Sequence, residues 1–205
     1  LHSDHRRYHG FAMSTLDEED RREYYRIEDT IALEIRPLSA SEAAGQEVLQ
    51  DASPLFNLLS ELHLSEFESQ HLLRQISERD RNLAAFLKSQ NKRIDLLSQV
   101  IALTVLGQIG EPQPVIISEG GIDFQHPTPF AAGAHLSIKL VLMPQALGLL
   151  LRARVTHCDP KGDGYDIGTE FQYPTDAQRQ LLARYILQKQ AQERRLARDQ
   201  SESGI

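Results

Sequence analysis

The sequence is poor in the residues that build covalent or aromatic frameworks. Its 205 residues include a single cysteine, Cys158, and no tryptophan, and only 6% are aromatic. One cysteine excludes an intrachain disulfide and favours a reducing compartment, so we expect a cytoplasmic protein. With 40% hydrophobic and 25% charged residues, aliphatic side chains must supply most of the core of a globular protein.

Positive charge and long apolar runs are also scarce. The formal net charge is −7, which argues against a nucleic-acid partner because non-specific binding to nucleic acid needs a basic surface. The most apolar helical stretch, "IDLLSQVIALTVLG", contains Asp95 and is shorter than the roughly 20 apolar residues of a membrane span. An apolar signal-peptide region is also lacking near the N-terminus. We therefore predict no membrane span.

The periodicity changes three times along the chain. Residues 1–19 have no pattern and are predicted to be a flexible leader. Ile31, Leu33 and Ile35 alternate as in a half-buried strand. A helical pattern then fills residues 41–110, and strand patterns separated by glycine turns follow from residue 111. Thr175 and Gln178 have capping-box spacing and predict a C-terminal helix, which we expect to fray beyond residue 189.

This order predicts an α+β fold with an insertion. Residues 20–40 and 111–205 form a small antiparallel β domain with a C-terminal helix, and residues 41–110 form an inserted helical segment. Within the insertion, Ser53 and Pro54 predict the start of a short helix that ends near His63. Proline and glycine are then absent until Gly107, which predicts one further helix of about 40 residues.

Residues 73–104 of that helix fit a heptad repeat, which predicts self-association through a parallel coiled coil. Ile94 and Leu97 at positions a and d favour a dimer, whereas Phe86 and Val100 widen the apolar face and favour four helices. We predict a tetramer, with a dimer as the second choice; the alternative is a helix packed within its own chain. The residues expected at the interface are Leu73, Ile76, Leu83, Leu87, Gln90, Ile94, Leu97 and Ile101.

Catalytic motifs are absent from the sequence. The residues around Ser118 do not fit Gly-x-Ser-x-Gly, and neither a phosphate loop nor a Gly-x-Gly-x-x-Gly fingerprint is present. His157, Cys158 and Asp159 are adjacent in sequence but lack metal-ligand spacing. We expect no enzyme activity, no metal site and no cofactor.

Two short motifs indicate an anion-binding site instead. "DRREYYRI" places Arg22 and Arg26 four residues apart, with Arg21 alongside, and arginine matches phosphate with a planar fork of donors. The alternative is a solvated charge cluster balanced by neighbouring carboxylates. "ISEGG" offers the hydroxyl of Ser118 and two glycines, which allow backbone amides to approach an anion.

Together these motifs resemble the PilZ domain family. "IGTEF" and "DAQRQLLARYILQKQ" look like that family's last strand and terminal helix. The resemblance implies a six-stranded antiparallel β-barrel that binds the bacterial second messenger cyclic di-GMP, with the helical segment inserted between the first and second strands. It implies these ligand-binding residues: Arg21, Arg22, Arg26, Ser118, Gly120 and Gly121.

One position departs from the family pattern Asp/Asn-x-Ser-x-x-Gly. Ile116 stands where the acidic or amide residue belongs, and isoleucine cannot accept a hydrogen bond from a guanine base. The loss of such a bond costs about 1–3 kcal/mol, or about ten- to a hundredfold in affinity. We therefore expect weakened ligand binding that Ile116→Asp would strengthen. The alternative function is a degenerate PilZ adaptor that binds a protein partner as an oligomeric scaffold.

Overall fold

The structure, a computed structural model, describes residues 25–45 and 47–202. It contains a closed antiparallel barrel whose strands follow the order β1-β2-β3-β6-β5-β4 around the wall. The strands are β1 (Ile27–Pro37), β2 (Gln113–Ile117), β3 (Ile122–His126), β4 (His135–Leu142), β5 (Leu147–Lys161) and β6 (Gly164–Gln172). The helices are α1 (Ala40–Ala44), α2 (Pro54–Arg79), α3 (Arg81–Ile109) and α4 (Asp176–Glu202). The six-stranded barrel with a helical insertion between β1 and β2 is confirmed.

The barrel interior is aliphatic, as the scarcity of aromatic residues requires. Alternate side chains of each strand point inward, and β1 shows this at Ile27, Ile31 and Leu33, which belong to the barrel core. β5 shifts its pairing with β6 between Val155 and His157, a bulge that bends the strand and helps to close the barrel. The largest fully buried side chains of the barrel are Phe124, Ile117, Ile122, Leu136, Ile138, Leu140, Leu142 and Ile167.

Helix α4 packs on the barrel core through one apolar face. Leu181, Leu182, Tyr185 and Ile186 are buried in the same cluster as the strand side chains. The predicted capping box is present: the amide of Thr175 donates to the Gln178 side chain at 3.0 Å, and the amide of Gln178 donates to the Thr175 hydroxyl at 3.1 Å. The expected fraying beyond residue 189 is wrong, because α4 continues to Glu202. The side chains of residues 191–201 are exposed.

The insertion differs from the predicted short helix followed by a single long one. Helix α2 runs through His63 to Arg79, and α3 begins directly after Asp80. The Asp80 carboxylate caps α3 by accepting the Leu83 amide at 3.0 Å, so this aspartate ends one helix and starts the next.

The two helices form an antiparallel hairpin. Phe56 and Leu59 from the start of α2 share one buried cluster with Ala102 and Val105 from the end of α3. A parallel coiled coil along one continuous helix is therefore wrong, since the heptad pattern crosses the reversal at Asp80. Intrachain packing covers one face of α3, because α2 (26 residues) is nearly as long as α3 (29 residues) rather than a quarter of its length.

Two buried cations fasten the start of the insertion to the barrel wall. Lys139 of β4 is paired with Asp51 at 3.1 Å and Glu34 at 3.3 Å. A guanidinium nitrogen of Arg152 of β5 donates to the backbone carbonyl of Glu42 at 3.0 Å. Buried cations need such partners because the loss of hydration is costly. These contacts hold the segment that precedes the hairpin against the outer face of β4 and β5.

The outer face of α3 remains exposed and apolar. On α3, Leu87, Gln90 and Ile101 of the predicted interface are half-buried, whereas Leu73 and Ile76 are half-buried on α2, across the reversal. A row of apolar side chains lies along the solvent side of α3. This row, here named the α3 stripe, consists of Leu83, Phe86, Ile94, Leu97 and Val100, all of them exposed.

Candidate functional site

The strand register brings part of the predicted anion site together. Ile27 of β1 faces Ile117 of β2, so Arg26 and Ser118 are the next residues on neighbouring antiparallel strands. Ile27 and Ile117 both point into the barrel, which turns Arg26 toward the outer surface because successive side chains alternate. Two residues far apart in sequence thus meet at one end of a strand pair. Arg21 and Arg22 lie outside the described residues.

The "SEGG" turn between β2 and β3 is closed by its own serine. The Ser118 amide donates to the Gly121 carbonyl at 2.9 Å, and the Ser118 hydroxyl accepts the Gly120 amide at 3.2 Å. The Gly120 carbonyl accepts the amide of Phe171 on β6 at 2.8 Å. Ser118 is buried because it holds this turn, so its hydroxyl also has a structural role that the sequence pattern does not reveal.

Gly121 is required by close backbone packing. A Cβ atom at this position would lie 2.0 Å from the Thr169 carbonyl oxygen, well inside van der Waals contact. The glycine of the motif therefore lets β6 pass directly beside the turn. This reason for the glycine is steric, and it holds with or without a ligand.

Asp123 is a residue of this site that sequence reasoning missed. Its carboxylate lies 3.3 Å from the Arg26 guanidinium. Burial raises the pKa of Asp123 above its ordinary value, while the charge of Arg26 acts in the opposite direction. The signal was present: residues that flank a tight turn at equal distances pair across the hairpin, and Ile116 is paired with Asp123.

A cleft of about 530 Å³ adjoins the Arg26–Asp123 pair on the outer face of the barrel. Ile116 and Asp123 line it, and Ile116 is 39% exposed. Arg26, Ser118 and the turn glycines lie beside the cleft rather than in its wall. The remaining lining residues are Glu28, Asp29, Thr30, Pro114, Val115, Gln125, Lys161 and Asp166. Four carboxylates against one lysine make this wall acidic, so positive charge for an anion must come from the arginine end.

A second cleft, of about 340 Å³, lies where the hairpin, the β4–β5 turn and α4 meet. His63, Glu66 and Arg184 line it, but each already has a partner within the chain. The His63 imidazole contacts the Ala146 carbonyl at 2.8 Å, and Arg184 donates to Gln70 at 2.9 Å. A hydrogen bond from His63 lowers the pKa of Glu66. These contacts join three elements and are structural.

Comparison with known proteins identifies the domain. The family model for the PilZ domain matches residues 88–188. The chain carries a PilZ domain. The match begins inside α3 and ends inside α4, and β1 lies outside it although β1 completes the barrel between β2 and β4. No curated protein matches the sequence.

Two solved structures resemble this chain. One is a tetrameric PilZ domain of a pathogenic protein from Xanthomonas campestris, self-assembled via an unusual helical bundle; it shares 15% identity, with a TM-score of 0.52 over 84% of this chain and 91% of that chain. The other is the inhibitor of motility from Bacillus subtilis, with 15% identity and a TM-score of 0.43 over 85% of this chain and 53% of that chain. At 15% identity, the Xanthomonas likeness concerns the fold.

Two kinds of feature are absent from the part of the chain that the structure describes. Within residues 25–45 and 47–202, no group of three or more histidine, cysteine, aspartate or glutamate side chains could hold a metal ion. In the same part of the chain, every helix is too short or too polar to cross a membrane.

Proposed function

We propose that this PilZ-domain protein is a non-enzymatic receptor for cyclic di-GMP. Arg26, Ser118, Gly120 and Gly121 would form the barrel side of the site, and Arg21 and Arg22 would complete it from the segment before β1. The observation that carries the proposal is the register of β1 and β2, which makes Arg26 and Ser118 neighbours.

The chemistry of these groups suits a ligand with two phosphates and two guanine bases. A guanidinium offers paired donors to phosphate oxygens and a flat face on which a base can stack. Arg26 is exposed, and among the described residues it makes one ion pair, with Asp123, through a single guanidinium nitrogen, so the other nitrogen atoms can donate to a ligand. The carboxylates that line the neighbouring cleft repel anions, which disfavours non-specific binding of polyanions. The phosphates of the ligand would therefore lie at the arginine end of the cleft.

Isothermal titration calorimetry with cyclic di-GMP tests this proposal. Arg26→Ala should weaken binding at least about tenfold, because a charge-assisted hydrogen bond is worth about 1.5–3 kcal/mol. Arg36→Ala is the matched control: Arg36 lies near the other end of β1, about 30 Å from Arg26, is similarly exposed and pairs with Glu42 at 3.0 Å. Absence of heat at high micromolar ligand would reject the receptor function.

We also propose that the protein self-assembles, with the α3 stripe of one copy packed against the α3 stripe of another. An apolar row of this length on a helix normally marks an interface, and a multimer would display several ligand sites together. The tetrameric Xanthomonas structure, assembled via a helical bundle, supports a tetramer over a dimer. Because the helices form a hairpin, the contact would join hairpins rather than single parallel helices.

A PilZ adaptor is the second candidate function. The exposed Ile116 and the acidic cleft beside it favour a surface that binds protein rather than nucleotide. The titration separates the two functions. If wild-type protein gives no binding heat with cyclic di-GMP and is still an oligomer, the adaptor is the better explanation.

A further inference from the structure

The proposed site has an isoleucine where the family pattern has a hydrogen-bond acceptor, and the fold places an acceptor directly opposite. Ile116 of β2 pairs with Asp123 of β3 in the antiparallel ladder. Directly opposed side chains on one face of such a pair have Cβ atoms about 4.5–5.5 Å apart. A carboxylate at 123 can therefore reach the same space as one at 116.

The side chain of Asp123 lies on the ligand side of the barrel wall. Its neighbours Ile122 and Phe124 are buried in the barrel core, so Asp123 points outward beside Ile116. About a fifth of the Asp123 side chain is exposed, and its carboxylate contacts Arg26 at 3.3 Å. The carboxylate of Asp123 thus lies between the proposed phosphate-binding arginine and the open cleft.

A carboxylate in this position would select between bases. It has acceptor oxygens and no donor when ionised, and guanine offers its ring N–H and exocyclic amino group side by side. Adenine presents an amino group beside a ring nitrogen that is an acceptor. That nitrogen would face a carboxylate oxygen with no hydrogen atom between them, so no hydrogen bond could form there. A base edge that offers two donors is therefore favoured over one that offers a donor and an acceptor.

We propose that Asp123 is the guanine-selecting residue of this receptor, in place of the acceptor missing at position 116. The inference rests on the proposed binding of cyclic di-GMP and adds to it the residue that reads the base. It also revises the expectation for Ile116→Asp. A second carboxylate opposite Asp123 would repel the first, so the single substitution should not strengthen binding.

The test measures affinity for cyclic di-GMP and for its inosine analogue, which lacks the exocyclic amino group. Wild-type protein should prefer cyclic di-GMP by about tenfold or more, as expected for one base-edge hydrogen bond to a charged acceptor. Asp123→Ala should bind cyclic di-GMP at least about tenfold more weakly and bind both ligands equally. Asp166→Ala is the matched control: Asp166 lines the same cleft but pairs with Lys161 at 3.3 Å, and its loss should leave the preference unchanged.

A second variant, in which the carboxylate is moved from position 123 to position 116, tests whether a loss of binding by the alanine variant reflects misfolding. The double variant Ile116→Asp with Asp123→Ile should recover most of the preference for cyclic di-GMP, because the carboxylate then extends from the opposite strand. Thermal unfolding of each variant verifies that the barrel is intact.

The outcomes separate this inference from the function on which it rests. If wild-type protein binds neither ligand, the receptor function fails and Asp123 has no base to read. If wild-type protein binds but Asp123→Ala weakens both ligands equally, or neither, Asp123 does not select the base and only this inference fails.

Discussion

At the scale of single residues, the site depends on side chains whose roles are set by contacts across the barrel wall. Gly121 fits only because β6 passes beside it, with the Thr169 carbonyl 2.0 Å from where a Cβ would stand. Ser118 closes the turn that presents this glycine. These two residues of the proposed ligand site also stabilise the barrel, so a substitution there needs a stability measurement beside any affinity measurement.

We expect Gly121→Ala to lower the free energy of unfolding by about 1–3 kcal/mol, because the added methyl group must displace backbone atoms. Gly107→Ala is the matched control. Gly107 lies in α3, where a Cβ atom would have no neighbour within 4 Å, and alanine there should raise stability by about 0.5–1 kcal/mol. Urea unfolding monitored by circular dichroism measures both. Equal effects of the two substitutions would contradict the steric account of Gly121.

At the scale of elements, α4 is tied to β1 by a polar contact at the edge of an apolar interface. The Tyr185 hydroxyl donates to Asp29, and Lys189 donates to the same carboxylate at 3.0 Å. Asp29 lies on β1, three residues after Arg26, and lines the acidic cleft. The strand that follows the proposed phosphate-binding arginine is thus also the strand that contacts the C-terminal helix.

We expect Tyr185→Phe to cost about 1.5–3 kcal/mol of unfolding free energy, since it removes a hydrogen bond to a charged group. Urea unfolding at neutral pH measures the loss. Tyr173→Phe, at a tyrosine that is 65% exposed, should have little effect.

The same contact predicts a pH dependence in the alkaline range. Burial, reinforced by the hydrogen bond to Asp29, raises the pKa of Tyr185 above its ordinary value. A pKa raised in the folded state contributes stability that is complete below the unfolded value, about 10, and that is lost as the pH rises beyond it. Wild-type protein should therefore lose more stability than Tyr185→Phe between about pH 10 and 11. Parallel unfolding curves for the two proteins across that range would contradict the assignment.

At the scale of the whole molecule, the barrel and the hairpin present two different surfaces. The barrel offers a charged cleft with an arginine at its end, and the hairpin offers the apolar α3 stripe. Lys139 and Arg152 hold the segment that precedes the hairpin on β4 and β5, whereas the proposed ligand site lies beside β1, β2 and β3. The proposed assembly surface and the proposed ligand site therefore lie on separate parts of the fold.

We expect Leu97→Glu to reduce a tetramer to smaller species, because it places a charge in the middle of the α3 stripe. Leu187→Glu is the matched control, since Leu187 on α4 is 62% exposed and Leu97 is 65% exposed. Light scattering coupled to size-exclusion chromatography measures the mass, and calorimetry should show unchanged affinity for cyclic di-GMP. A monomeric wild-type protein, or an unchanged mass for Leu97→Glu, would overturn assembly through this stripe.

The amino-acid sequence alone determined the strands, the insertion point and the PilZ resemblance, because period-two alternation, glycine turns and capping boxes are local signals. It did not reveal the reversal at Asp80, since an aspartate can cap a helix without any proline or glycine to mark the break. The turn pattern contained the pairing of Asp123 with Ile116, but the sequence did not reveal the contact of Asp123 with Arg26, which follows from the pairing of β1 with β2. Only the tertiary structure decided these two features, because helix packing and strand register are set by contacts between residues far apart in the chain.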